Sequence, residues 1–223
     1  MHQKRLPMPE PMDSAIDLYW IPLGAGGHFV HFNGTVFEAI TAFAQRRERA
    51  ELYHAALVVT TADSRFVIEM TPIPDARGAD RGGVLEGPVG ARWAARLRIF
   101  RYEIRRWANG VIPDIRFAVA SPLRVSDDAS CARRLLDLVP EVPPLVWGRD
   151  EVHAHDMWNS NSVVSWLLTS SGVDVAHIQP PAGGRATGWK SGLAAARRAR
   201  VTGTGVELLY KKEERGARRA PLS

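Results

Sequence analysis

Three polar residues that lie far apart in the chain could together form the catalytic machinery of a hydrolase. His54 lies in the apolar stretch 52–59, Glu69 lies in the apolar stretch 66–70, and Ser160 precedes an apolar run. A serine hydroxyl can attack an acyl carbon when a histidine accepts its proton and a carboxylate fixes the tautomer of that histidine. This combination indicates acyl transfer, or hydrolysis of an amide, an ester or a thioester.

The two stretches that carry His54 and Glu69 have the pattern of a β-hairpin. A short polar linker, residues 61–64, separates them. An even-numbered linker places His54 opposite Thr71, so Glu69 shares a face with His54 and lies diagonally from it, at roughly 7 Å between Cα atoms. A carboxylate in that position can orient the imidazole.

Ser160 is expected to open a buried helix that ends near Gly172. Free backbone N–H groups and the helix dipole at such a start favour a developing negative charge. Ser162 is the alternative nucleophile if the helix begins two residues later. Serine or asparagine at this place is also expected simply as an N-cap, which stabilises a helix by ~1 kcal/mol.

The order of these features resembles the circularly permuted papain-like hydrolases, which include permuted NlpC-type amidases and lecithin:retinol acyltransferase-like enzymes. In several of those groups the nucleophilic cysteine follows an asparagine, and this chain has Asn159-Ser160-Asn161. The resemblance spans residues 52–170 and implies that His54 is the general base, Glu69 the orienting residue and Ser160 the counterpart of the cysteine. The neighbouring residues expected to contact the substrate are Trp158, Asn159 and Asn161.

Serine in place of cysteine leaves two functions open. A cysteine can be held as a thiolate by a helix terminus and an imidazolium, whereas a serine must lose its proton during the attack. The chain is therefore either a hydrolase or acyltransferase that uses Ser160, or a catalytically inactive binding or structural protein of the same fold. The enzyme would need no cofactor, and its substrate would be a small molecule, a peptide or a lipid-like compound.

Composition and patterning predict a single α+β domain over residues 1–210, with a central, mostly antiparallel sheet packed against helices in a permuted papain-like arrangement. The chain has 223 residues, of which 45% are hydrophobic and 24% charged, so it can bury a core without disulfides. Further helices are predicted after Thr35 and after Ser126-Asp127-Asp128. Residues 77–90 are predicted as a glycine-rich excursion, 97–104 as a strand and 173–189 as an ordered loop.

The net charge of +5 is concentrated near the carboxy terminus. Residues 190–223 contain nine basic and three acidic residues, which leaves a net charge of −1 for the preceding part of the chain. We expect residues 211–223 to form a flexible basic tail and expect no nucleic-acid partner. Six arginines between Arg92 and Arg106 alternate with apolar residues, either as an exposed face or as an anion-attracting rim.

Other constellations are weaker. His153 and His155 could bind zinc only with a third ligand, so no metal site is predicted. The loop Gly24–Gly27 is followed by a strand-like sequence, which argues against phosphate binding. Cys131, the single cysteine, is expected to be packed in a helix and permits a reducing, cytoplasmic location. No apolar run reaches the length of a membrane span, and the excess of arginine over lysine is typical of a bacterial GC-rich genome.

Overall fold

The computed structural model describes residues 12–23, 51–73, 82–112 and 114–202. Within these ranges the fold is α+β, as predicted, with one sheet and three α-helices. The strands are β1 (Ala15–Pro22), β2 (Glu51–Thr60), β3 (Arg65–Pro72), β4 (Gly83–Pro88), β5 (Arg101–Ala108), β6 (Val119–Ser126) and β7 (Gly184–Arg185). The helices are α1 (Ala129–Leu138), α2 (Ser160–Ser171) and α3 (Trp189–Thr202).

The sheet has the strand order β4-β5-β3-β2-β1-β6, and all of these neighbours are antiparallel. The short strand β7 pairs in parallel with the first residues of β2. The predicted antiparallel sheet is therefore confirmed, and β2 lies inside it.

The hairpin of β2 and β3 has the predicted register. Thr60 pairs with Arg65 and Leu57 with Ile68, and the Thr61 N–H donates to the Ser64 carbonyl at 2.8 Å. Pairing between the two strands ends at Leu57, so the first half of β2 is not paired with β3 and the predicted pair of His54 with Thr71 does not form. This leaves a split in the sheet between the start of β2 and the end of β3.

The sheet buries both of its faces. Its helix face packs against the three helices in the main core, which contains Trp20, Leu57 and Ile68 from the strands and Leu135 and Leu167 from the helices. Its opposite face forms a smaller core of Ile21, Ala56, Val58, Val67 and Ile112. Because neighbouring side chains in a strand alternate between faces, the register assigns every strand residue to one face or the other.

The two predicted helices that lie in the described ranges are confirmed. The Asp128 carboxylate accepts from the N–H groups of Ser130 and Cys131 and caps α1, and Gly172, in the left-handed region at φ +99°, ends α2. Cys131 is buried, and its Sγ lies 3.4 Å from the Ser171 carbonyl of α2. The cysteine is therefore a packed contact between two helices, as expected.

Two segments differ from the sequence-based prediction. The glycine-rich stretch contains strand β4, in which Gly87 lies against the ring of Tyr102, where a Cβ would collide with it. Residues 97–104 form a strand only from Arg101 onward, because two short 3₁₀ helices, Arg92–Arg96 and Arg98–Phe100, occupy the preceding residues. Helix α3 and strand β6 are two further elements, which the sequence pattern did not predict.

Several predictions concern residues outside the described ranges. These are the helix after Thr35, the loop Gly24–Gly27 and the tail 211–223. In the described part of the chain, no helix combines the length and the apolar character that crossing a bilayer requires.

Candidate functional site

Polar side chains fix the start of α2. The Asn159 Oδ1 accepts from the N–H of Asn161 at 2.9 Å and from that of Ser162 at 3.4 Å, and the Ser162 Oγ accepts from the Asn159 N–H at 3.0 Å. This reciprocal arrangement is a capping box. Asn159 is therefore the N-cap, and Ser160 is the buried first residue of the helix.

Asn161 anchors this helix start to the sheet. Its Nδ2 donates to the Tyr53 carbonyl at 2.9 Å and to the Thr187 carbonyl at 2.8 Å. The Leu23 N–H bonds to the Leu52 carbonyl of β2, so in the alternating pattern of an antiparallel pair the Tyr53 carbonyl points away from β1. The start of α2 therefore lies beside β2, at the split between β2 and β3. The strand residue that it contacts, Tyr53, directly precedes His54.

The same segment holds α2 against α3. The Asn159 Nδ2 donates to the Thr187 carbonyl at 2.8 Å, and the Ser162 Oγ donates to the Gly188 carbonyl at 2.7 Å. Gly188 has φ +95°, and a Cβ there would lie 2.1 Å from the Asn159 Oδ1. Together with the Asn161–Tyr53 hydrogen bond, these contacts form a polar joint between α2, α3 and β2. Helix α2 begins at Ser160 and not two residues later, so the condition under which Ser162 was the alternative nucleophile is not met.

Asp156 caps α3 from a preceding loop. Its carboxylate accepts from the N–H groups of Gly188 at 2.7 Å and Lys190 at 3.2 Å, and burial raises its pKa although these hydrogen bonds oppose the shift.

The neighbouring His153 and His155 are exposed, and no group of three metal-ligating side chains comes together in the residues that the structure describes.

Replacing Asp156 by alanine should lower the free energy of unfolding by about 1–2 kcal/mol, because the N–H groups of Gly188 and Lys190 lose their half-buried acceptor. Urea denaturation of the two proteins measures this difference. The control is Asp137→Ala on the exposed side of α1, which should change the free energy by less than about 0.5 kcal/mol. Equal effects of the two substitutions would contradict the capping role of Asp156.

His54 lies on the face of the sheet that is turned away from the helices. It pairs with Ile21 of β1, a member of the smaller core, and directly paired residues project from the same face. Burial lowers the pKa of His54 to about 4. The imidazole is therefore neutral at neutral pH, and the folded protein binds its proton less readily than the unfolded chain does.

This shift predicts a loss of stability in acid. Because the pKa of His54 is lower in the folded protein than in the unfolded chain, its contribution is complete above pH 6.5 and falls as the pH decreases towards 4. The decrease should reach at most about 3 kcal/mol. Denaturation at several pH values should show this component in the wild type and in a His153→Gln control but not in His54→Gln, and identical pH profiles of all three proteins would refute the assignment.

Glu69 shares the face of His54, as predicted, but its carboxylate is held by an arginine. Arg105 lies directly opposite Glu69 on β5, and its Nη1 donates to the Glu69 Oε1 at 3.0 Å while its Nε donates to Glu103. Glu69 and Arg105 are 8% and 3% exposed. Sequence reasoning noted the arginine-rich run but not this pairing, which depends on the register between β3 and β5.

The buried charges make Arg105→Ala strongly destabilising. Removal of the guanidinium would leave two carboxylates without their shared cation, which costs about 3–5 kcal/mol in buried pairs. The control Arg101→Ala, on the same strand, breaks a more exposed pair with Glu86 and a hydrogen bond to the Ala95 carbonyl, and it should cost less, about 1–2 kcal/mol. Thermal or urea denaturation distinguishes these values, and a similar cost for both variants would show that Arg105 is not a buried charge centre.

Trp158 is part of the core. Its side chain is 1% exposed, and its backbone forms a bridge with Trp147, whose ring contacts Tyr102 edge-on at 5.9 Å. Trp158 is enclosed by the core and Asn159 is used by the helix cap, and their expected contact with a substrate stays a prediction. Asn161 retains Oδ1 as a buried acceptor without a hydrogen-bond partner among the described residues.

The structure thus brings the start of α2 next to the strand residue before His54, and it places His54 and Glu69 on the same face of the sheet, the one turned away from the helices. No protein-family model, curated protein or solved structure matches the chain. The resemblance to permuted papain-like hydrolases accordingly stays a prediction that rests on residues 52–170.

Proposed function

We propose that this protein is a hydrolase or acyltransferase of permuted papain-like type that acts on an amide, ester or thioester. Ser160 is the nucleophile and His54 the general base in this proposal. The observation that carries it is the 2.9 Å hydrogen bond from the Asn161 side chain to the Tyr53 carbonyl, because it joins the residue after Ser160 to the residue before His54.

In the proposed reaction the Ser160 Oγ bonds to the acyl carbon while its proton passes to the imidazole of His54. The proton then moves to the leaving nitrogen, oxygen or sulfur as the bond to the acyl carbon breaks. Water, or another acceptor, attacks the acyl-serine and restores the hydroxyl. The Ser160 N–H stabilises the oxyanion, since the Asn159 side chain already accepts from the N–H groups of Asn161 and Ser162. The steps require no cofactor.

In this proposal, Ser160 and His54 approach each other at the split between β2 and β3. His54 projects from the opposite face and α2 packs on the helix face, so the two side chains can meet only where the sheet is interrupted. Residues 53–56 of β2 are that place, because β3 does not pair with them and β7 pairs only with Glu51 and Leu52. Glu69 can orient His54 only if it does so while bound to Arg105.

A second candidate is the catalytically inactive binding or structural protein of the same fold. The face assignment favours it, since His54 projects with Ile21 into the smaller core and Glu69 is engaged by Arg105. Ser160 would then be only the first residue of a capped helix. The chain would keep the joint between α2, α3 and β2 and lack the acyl-transfer step.

A fluorophosphonate probe decides between the two candidates. If Ser160 is the nucleophile, the probe labels the wild type and not Ser160→Ala, and His54→Gln lowers the labelling rate by about a hundredfold or more. Because His54 acts in its neutral form, with a pKa of about 4, the labelling rate should stay constant from neutral pH down to near pH 4 and fall below it.

Ser130→Ala is the matched control, because Ser130 also lies in the first turn of a helix and is exposed. It should leave labelling unchanged. In a Ser160→Cys variant, iodoacetamide should modify the new thiol with a pKa below that of an ordinary cysteine, while buried Cys131 stays unmodified. Absence of labelling in the folded wild type, together with an ordinary thiol in Ser160→Cys, would favour the inactive protein.

A further inference from the structure

The segment between β4 and β5, residues 92–100, presents apolar side chains to solvent. Trp93, Leu97 and Ile99 are 77%, 59% and 56% exposed. Large apolar side chains clustered on the surface mark interaction sites for proteins or membranes, whereas scattered ones do not. Here three of them lie within seven consecutive residues.

The same segment is positively charged. Arg96 and Arg98 are exposed, and neither forms an ion pair with another described residue. Two acidic residues pair with other arginines of this region, since Glu151 binds Arg92 and Glu86 binds Arg101. The exposed part of the segment therefore combines apolar groups with two arginines that have no acidic partner among the described residues.

Hydrogen bonds and a buried alanine fix the backbone of the segment. Its two 3₁₀ helices place the Leu97 N–H on the Ala94 carbonyl at 2.9 Å and the Phe100 N–H on the Leu97 carbonyl at 3.0 Å. Ala94 is buried, and the Arg101 Nε donates to the Ala95 carbonyl. Because the exposed side chains project from a fixed base, little conformational order has to be gained on binding.

We infer that residues 92–100 dock the protein on the surface of an anionic lipid bilayer. Tryptophan with leucine or isoleucine is suited to the boundary between headgroups and acyl chains. Arginine side chains are attracted to anionic headgroups. A nucleic acid would use the arginines and leave Leu97 and Ile99 exposed, so the combination favours a membrane surface. This inference does not depend on whether Ser160 is a nucleophile.

The test is co-sedimentation of the full chain with phosphatidylcholine vesicles that either contain or lack phosphatidylglycerol. The wild type should bind the anionic vesicles about tenfold or more tightly than the neutral ones. The variant Trp93→Ala/Leu97→Ser/Ile99→Ser and the variant Arg96→Glu/Arg98→Glu should each lose about tenfold or more of that affinity. Circular dichroism and urea denaturation confirm that both variants are folded.

Matched controls change the same chemistry elsewhere on the surface. Val111→Ser removes an apolar side chain that is 61% exposed, and Arg116→Glu/Arg133→Glu reverses two exposed arginines; neither should alter binding as strongly. Brominated lipid should quench tryptophan emission in the wild type and less so in Trp93→Phe. The inference is overturned if the wild type ignores anionic vesicles, if the controls weaken binding as much as the segment variants do, or if the segment instead mediates self-association detected by analytical ultracentrifugation.

Discussion

The polar joint at the start of α2 is the constraint on which the candidate site depends. The side chains of Asn159, Asn161 and Ser162 form hydrogen bonds in the helix cap, to backbone carbonyls of the segment before α3 and to the Tyr53 carbonyl of β2. Each of these groups is buried, and a buried polar group without a partner is costly. The joint therefore fixes where Ser160 stands relative to the sheet, whatever Ser160 does.

A second buried polar system lies on the other side of the sheet. Arg105 joins Glu69 and Glu103 on a face that elsewhere is filled by apolar residues such as Val58 and Val67. Charges are buried only when they are paired and hydrogen-bonded. One polar system contacts β2 at Tyr53 and the other contacts β3 at Glu69, so both lie beside the split between these strands. The proposed chemistry and the inactive alternative are therefore both compatible with this fold.

The strongest sequence signals were local ones, and they located the elements correctly. The linker 61–64 set the register of the hairpin, and Asp128 and the segment 159–162 marked the starts of α1 and α2. Strand β4 was missed because glycine weakens a strand pattern, although Gly87 is there to accommodate the ring of Tyr102. The pairing of Arg105 with Glu69 was missed because it joins strands that are not adjacent in sequence.

By itself, then, the sequence determined the α+β class, the hairpin and its faces, and the capped start of α2. These follow from side-chain periodicity and capping chemistry, which act over a few residues. Only the tertiary structure decided that α2 packs on the face away from His54 and that Glu69 belongs to Arg105. Which face a helix covers and which strand becomes a neighbour depend on contacts between distant segments, and the local pattern carries no record of them.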